Sequence, residues 1–171
     1  MRRIRAREIL LSSCLSIVFL GVGCFKQPAN LSDGDLAAAR ASEEVNVRKA
    51  LDAFYHAADV KDWKAIEGIL AQDFEFYTDD SLVVSRDEFL KAMKDDDMKI
   101  AKLELKNVKI SLSQDSQMAW IKYHAFLESQ IHGEPYNMMS AETVALRKEG
   151  SQWKLTHSHA SIKKLTNKSA S

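Results

Sequence analysis

From Lys99 onward the apolar residues recur with a period of two, and this change of period constrains the fold more than any other feature. Three turn signals, Gln114-Asp115-Ser116, His132-Gly133-Glu134-Pro135 and Glu149-Gly150-Ser151, separate segments 99–112, 117–130, 136–148 and 152–163. Each segment exceeds the usual strand of about five or six residues, which predicts a strongly twisted, curved antiparallel sheet. The first changes parity: Leu103 and Leu105 are odd, whereas Val108, Ile110 and Leu112 are even. A slip of one residue places a bulge near Lys106–Asn107. The second segment is apolar on both faces, with Met118, Trp120 and Phe126 on one and Ile121, Tyr123 and Leu127 on the other. A strand of that kind needs two covers, helices on one side and a further sheet or subunit on the other.

The helices precede this sheet. Val47, Ala50, Leu51, Phe54 and Ala58 recur at helical spacing between Glu43 and Asp59. Asp62 is placed to cap a short second helix carrying Trp63, Ile66 and Ile69. Phe74, Phe76 and Tyr77 read as a short strand, Thr78 to Ser81 as a turn, and Leu82-Val83-Val84 as the returning strand. Ser85-Arg86-Asp87-Glu88 is a capping box opening a third helix with Phe89, Leu90 and Met93. The run Lys94-Asp95-Asp96-Asp97 lacks the spacing and glycine of a calcium loop and reads as a solvated exit turn.

The front of the chain is an address. Arg2, Arg3, Arg5 and Arg7 precede an apolar run from Ile9 to Val22, shorter than the roughly 20 residues that span a bilayer. Gly21-Val22-Gly23-Cys24 ends it and resembles a bacterial lipobox, with Leu20 one position early. Residues 1–23 are thus expected to be a lipoprotein signal peptide and Cys24 the lipidated residue. Phe25, in place of the Asp that holds many such proteins at the inner membrane, implies the outer membrane facing the periplasm. Cys14 and Cys24 are the only cysteines, so the mature domain has no disulfide, thiolate nucleophile or cysteine metal site. Removing residues 1–23 turns 24 basic and 24 acidic residues into 20 and 23. The mature chain is mildly acidic and has no basic stripe, which argues against nucleic acid as a partner. Residues 24–42 read as a tether whose end, DLAAARAS, is compatible with helix. Residues 43–163 read as one domain, and 164–171 as a disordered tail.

Helices, a short hairpin with a helix, and four long strands ending in Trp153-Lys154-Leu155-Thr156-His157-Ser158-His159-Ala160-Ser161 resemble the nuclear transport factor 2-like superfamily. Its SnoaL-like, domain-of-unknown-function 4440 and calcium/calmodulin-dependent kinase association-domain branches are the most similar. Lys61-Asp62-Trp63, Asp73-Phe74-Glu75-Phe76-Tyr77 with Asp80, and Ser140-Ala141-Glu142-Thr143 carry the rest of the resemblance. It implies an α+β cone: three N-terminal helices packed on the concave face of a strongly curved antiparallel sheet, enclosing a pocket. It also implies a dimer formed through the convex face. Phe54, Tyr55, Tyr77, Tyr123, Val144, Thr156, Ser158 and Ala160 are the expected pocket lining. Trp153, His157, His159 and Ser161, with Leu155, are then expected on the convex face, the first four as the dimer interface. The arginines that line the pocket of the kinase branch fall here on Tyr123, Val144 and Ala160. The Tyr and Asp of the ketosteroid-isomerase branch fall on Phe54 and Thr78, or on Tyr55 and Asp79 with a slip of one.

Acid–base candidates are Tyr55, His56, Tyr77, Asp79, Tyr123 and Glu142, which form no recognisable pair in sequence. His157 and His159 share a strand face and would need a third ligand, His124 or Glu142, to hold a metal. The expectation is no metal, no cofactor and no catalytic residue. The leading reading is a lipid-anchored envelope protein whose domain is a non-catalytic small-molecule-binding or scaffold module, taking a small apolar ligand and forming a homodimer. The alternatives are a small lyase or isomerase using the pocket, and a structural dimeric partner in an envelope assembly. Lipidation at Cys24 has a direct consequence: Cys24→Ala is expected to move the protein from the membrane pellet to the soluble fraction on cell fractionation, and continued retention would refute the anchor.

Overall fold

The computed structural model describes residues 32–79, 83–95 and 97–165. The signal segment with Cys24, most of the tether, Asp80 to Leu82, Asp96 and the tail from 166 lie outside the described residues. Helix α1 runs Asp33–Asp59, α2 Trp63–Ile69 and α3 Arg86–Asp95. The strands are β1 Leu70–Tyr77, β2 Val83–Ser85, β3 Lys99–Leu112, β4 Met118–Ile131, β5 Glu134–Pro135, β6 Asn137–Glu149 and β7 Gln152–Leu165. They form one seven-stranded sheet in the order β2-β1-β7-β6-β4-β3, with β5 paired to β4. Only β1 and β7 run parallel; the other neighbours are antiparallel.

Each helix starts where its cap dictates. Asp62 accepts from the Ala65 amide at 3.0 Å, and Ser85 exchanges hydrogen bonds with Glu88 in the expected box. Helix α1 begins ten residues before Glu43: the DLAAARAS end of the tether, compatible with helix in sequence, is helical, and the helix reaches back to Asp33. A capping box between Ser32 and Asp35 opens it. Two tertiary clamps then hold this early part. The Arg40 guanidinium donates to the carbonyls of Leu112 and Ser113, 3.3 and 3.0 Å away in the β3–β4 turn. Glu43 accepts from Lys148 Nζ at 2.5 Å and from Trp153 Nε1 at 2.9 Å, which ties the helix to the β6–β7 hairpin. Periodicity alone is blind to such clamps, because the helix face they hold is mostly alanine.

The core fills the space between the helices and one face of the sheet. Val47, Leu51 and Ile66 from the helices meet Ile121, Val144, Leu146 and Leu155 from the strands, all essentially buried. Burying each such side chain contributes about 1.5–3 kcal/mol. The expected bulge is present: the β3–β4 register slips between Lys106 and Lys109, and Asn107 takes a left-handed φ of 55°. It keeps Leu103, Leu105, Val108, Ile110 and Leu112 all packed against the core cluster.

A second slip corrects the reading of the last strand. Ala145 pairs with His157 and Leu146 with Leu155, leaving Thr156 between them with its hydroxyl donating to the Ala145 carbonyl at 3.2 Å. Strict alternation therefore breaks at Thr156. Trp153 and Leu155 lie on the helix side, buried, together with Ser158 and Ala160 beyond the bulge. His157, His159 and Ser161 share the opposite, open face with His124 and Thr143. Trp153 therefore does not belong to a surface for a second subunit; its indole is part of the clamp on α1.

The Glu43 carboxyl is held below the usual carboxylate value of 4.5, first by the Lys148 hydrogen bond and then by that of Trp153. A depressed value stabilises the fold above about pH 4.5 and stops doing so as pH falls through the lowered value. Glu43→Ala is expected to reduce the unfolding free energy by about 1–2 kcal/mol near neutral pH, allowing for partial solvent screening. Urea unfolding at pH 7 and at pH 3 checks this, since the difference between variant and parent should shrink at the lower pH.

Candidate functional site

Strand parity carries one acid into the interior. Ser140, Glu142, Val144 and Leu146 alternate toward the helices along β6, and Glu142 stands directly across from Tyr123 on β4. Tyr55 reaches the same point from α1. Tyr123 Oη donates to Glu142 Oε2 at 2.6 Å and Tyr55 Oη donates to the same oxygen at 3.0 Å. The two phenol oxygens are 2.9 Å apart, and the Ser140 hydroxyl donates to Glu142 Oε1 at 2.5 Å. The tyrosine rings meet edge to face at 84°. Two phenol protons can serve only two of the three edges of this oxygen triangle, so the cluster has one proton position in excess of its hydroxyl protons.

Burial sets the electrostatics. Loss of hydration pushes the Tyr55 phenol well above its usual value, with the Glu142 charge adding to the shift. The Tyr123 phenol is pushed far up by the same desolvation, then by Tyr55 and Glu142. Both are therefore hydrogen-bond donors throughout the physiological range.

The cluster opens on a cavity of about 160 Å³ bounded by Phe54, Phe74, Phe76, Phe89, Val144 and Ala160, with Tyr123, Glu142 and Ser158 among its polar contributors. Phe89 organises the aromatic wall, its ring 5.2 Å from Phe74, 5.3 Å from Phe76 and 6.5 Å from Phe54. The space holds about five water molecules at about 30 Å³ each. Ser158 is 7 % exposed, and its hydroxyl has no hydrogen-bond partner among the described residues.

Of the residues expected to line a pocket, Phe54, Tyr123, Val144, Ser158 and Ala160 line this cavity. Tyr55 stands behind it: its hydroxyl joins the cluster, while the residue borders a separate depression with His56 and Asp59. Tyr77 and Thr156 are corrected. Tyr77 lies on the open face, with its ring 4.7 Å from His157 and its hydroxyl on Glu75, and Thr156 occupies the bulge. Asp79 accepts from the Ile162 amide at 3.0 Å, away from the cluster. Glu142 cannot complete a metal site with His157 and His159, because they occupy opposite faces. Among the described residues no three of His, Cys, Asp and Glu gather as metal ligands would. Sequence reasoning named Tyr55, Tyr123 and Glu142 among the acid–base candidates without bringing them together, and did not name Ser140 as a partner. The available signal was a lone acid at an inward position between Ser140 and Val144.

A family model for the SnoaL-like domain matches residues 47–163. The chain belongs to the SnoaL-like domain family. Solved structures agree on the nuclear transport factor 2-like fold. A protein from Streptomyces avermitilis, provisionally named a dehydratase of that family, is 20% identical at TM-score 0.61, covering 70% of this chain and 96% of its own. A provisionally named scytalone dehydratase from Novosphingobium aromaticivorans is 11% identical at TM-score 0.61, covering 76% and 89%. A provisionally named calcium/calmodulin-dependent kinase II association domain from Exiguobacterium sibiricum is 10% identical at TM-score 0.64, covering 72% and 95%. No curated protein matches the sequence. At these identities the SnoaL-like domain shares its fold with both kinds of neighbour, and the fold does not choose between them.

The raised phenols make a spectroscopic prediction. Their stabilising contribution is fully present below the usual tyrosine value near 10 and is lost as pH rises toward the raised values. Tyr55 and Tyr123 are expected to give no tyrosinate absorbance while the protein is folded, and to contribute theirs only on alkaline unfolding. Tyr55→Phe and Tyr123→Phe should each diminish the absorbance change that accompanies unfolding.

Proposed function

We propose that this SnoaL-like domain is a small lyase or isomerase, with Glu142 as the base and Tyr123 as the proton donor, acting on a small uncharged carbonyl compound. The observation that carries this reading is the 2.6 Å contact between the Glu142 carboxylate and the Tyr123 hydroxyl at the wall of an apolar cavity. The carboxylate and phenol are within hydrogen-bond reach of one another, and both face the same enclosed space. No lysine or arginine is among the described residues that line the cavity, which favours a neutral substrate over a carboxylate. The Ser158 hydroxyl supplies an orienting donor on the adjoining strand β7.

For a β-hydroxy carbonyl compound the chemistry balances within the cluster. Glu142 Oε2 takes the proton from the carbon beside the carbonyl. The electron pair forms the carbon–carbon double bond, the carbon–oxygen bond breaks, and Tyr123 Oη gives its proton to the departing hydroxyl, releasing water. The proton on Glu142 returns to Tyr123 along their hydrogen bond. Tyr55 and Ser140 hold the carboxylate in place and are positioning residues. The two dehydratase names among the structural neighbours support a reaction of this class.

A binding role without turnover draws on a separate observation. The Tyr55, Tyr123 and Ser140 hydroxyls all have Glu142 as a partner, and about 160 Å³ is below the 300–1,000 Å³ of most small-molecule sites. Under either reading we propose, from the sequence of residues 1–24, that the domain acts at the cell envelope under a lipid anchor.

Deuterium uptake from heavy water at the carbon beside the carbonyl, followed by mass spectrometry over a panel of small β-hydroxy ketones, tests the chemistry. Glu142→Gln is expected to lower the exchange rate at least 100-fold while the far-ultraviolet circular dichroism is unchanged, and Tyr123→Phe to slow elimination more than exchange. Saturable binding of such ketones with no exchange in the parent protein would overturn catalysis in favour of binding.

A further inference from the structure

The cavity has a closed side and an open side. Along β7 it is lined by Leu155, Ser158, Ala160 and Ile162. The first three are 2 %, 7 % and 4 % exposed, whereas Ile162 is 44 % exposed. Pairing with β6 sets Ser158 opposite Val144, Ala160 opposite Glu142, Ile162 opposite Ser140 and Lys164 opposite Met138. Tyr123 continues the Glu142 row on β4. Behind that row the lining is Leu51, Phe74 and Leu155, all buried. In front of it the lining is Ile162 and the half-buried Met138. Ile162 is two residues beyond Ala160, about 7 Å along the strand. Strand β1, which pairs with β7 on its other side, ends at Tyr77, level with His159 and short of Ile162.

Volume and direction together restrict the substrate. The cavity of about 160 Å³ holds about five groups the size of a water molecule. The reacting core of a β-hydroxy carbonyl compound, its carbons and two oxygens, is already about five such groups. Any larger substituent must leave the cavity, and the buried wall gives it no way out at the Leu155 end. Ser158 stands one row deeper than Glu142, so a carbonyl held there points to the closed side. The carbinol carbon beside Tyr123 then points to the opening. The lip there is apolar. Of the charged groups beside it, Asp79 accepts from the Ile162 amide at 3.0 Å, and the Lys164 ammonium lies over the Tyr136 ring, 5.0 Å from its centre.

We propose that the substrate is a β-hydroxy methyl ketone or aldehyde whose carbinol carbon carries an unbranched hydrocarbon chain, and that this chain leaves the cavity over Ile162 and Met138. The inference rests on the cavity being the carbonyl site proposed above, and adds which side of the carbonyl bears the chain. Ile162 and Met138 are then specificity-determining residues. Methylenes laid on them remove apolar surface from water on both partners. A compound with long chains on both sides of its carbonyl cannot seat that carbonyl at Ser158, because one chain would run into Leu155 and Val144.

Two isomeric ketones of equal carbon number test this without any turnover. Methyl heptyl ketone has one short side, and dibutyl ketone has none. The full chain, with ¹³C-labelled methionine and isoleucine methyl groups, is titrated with each. Methyl heptyl ketone is expected to shift the Met138 and Ile162 methyl resonances saturably and to bind at least tenfold more tightly than dibutyl ketone, with Met118 at the other end of β4 unmoved. Ile162→Asp should weaken methyl heptyl ketone at least tenfold and leave methyl ethyl ketone, which ends inside the cavity, unchanged. Equal affinity for the two isomers would overturn the proposal, as would Ile162→Asp weakening the long and short ketones alike. Isomer selectivity without deuterium exchange from any β-hydroxy ketone sinks the chemistry and leaves the chain assignment standing. Exchange with no preference between the isomers does the reverse.

Discussion

Among the register slips of the sheet, the ones at Asn107 in β3 and at Thr156 in β7 decide which residues face the helices. A strand has a period of two, so without a slip every apolar side chain beyond that point would turn to the wrong face. In β3 the slip keeps five apolar residues under α1. In β7 it lets Trp153 and Leu155 pack inward at one end while Ser158 and Ala160 face the cavity at the other. Long strands twist and bend more at bulges, which lets a single sheet wrap its own helices. The cavity and the clamp on Glu43 are therefore consequences of these backbone irregularities.

Within that frame the Glu142 cluster is a concentrated polar object in an apolar setting. Hydrogen bonds there are stronger than in water, and any group left unpaired there is costly. Gathering a carboxylate, two phenols and a serine hydroxyl from β6, β4 and α1 couples the helix to the sheet through chemistry as well as packing. Ser158, on the adjoining strand β7, adds one more hydroxyl to the cavity lining.

The fold was legible because it rests on periodicity, caps and turn residues, all local. The caps at Asp62 and Ser85, the Asn107 bulge and the four long strands lie where the pattern puts them. What escaped was non-local. Helix was compatible with DLAAARAS in sequence, but the clamps on it, Arg40 and Glu43 reaching partners more than 70 residues away, were not visible there. The bulge at Thr156 leaves no mark in WKLTHSHAS, where every second residue suits a strand in either phase, and this misplaced Trp153 and Thr156. Tyr77 was misplaced because alternation along β1 assigns it with Glu75, outward, while its aromatic character argues for the interior. The Tyr123–Glu142 pair needs the register of β4 against β6, which a sequence shows only once the hairpin between them is known.

The early start of α1 also changes the geometry outside the domain. With α1 beginning at Asp33, a lipid anchor at Cys24, as proposed above, would put only residues 25–32 between the bilayer and the helix, a reach of at most about 26 Å at about 3.3 Å per residue. A tether running to Ser42 would have allowed about 60 Å. On so short a leash the domain would patrol a thin shell above the bilayer, and molecules partitioning near that surface would be the ones it meets most often.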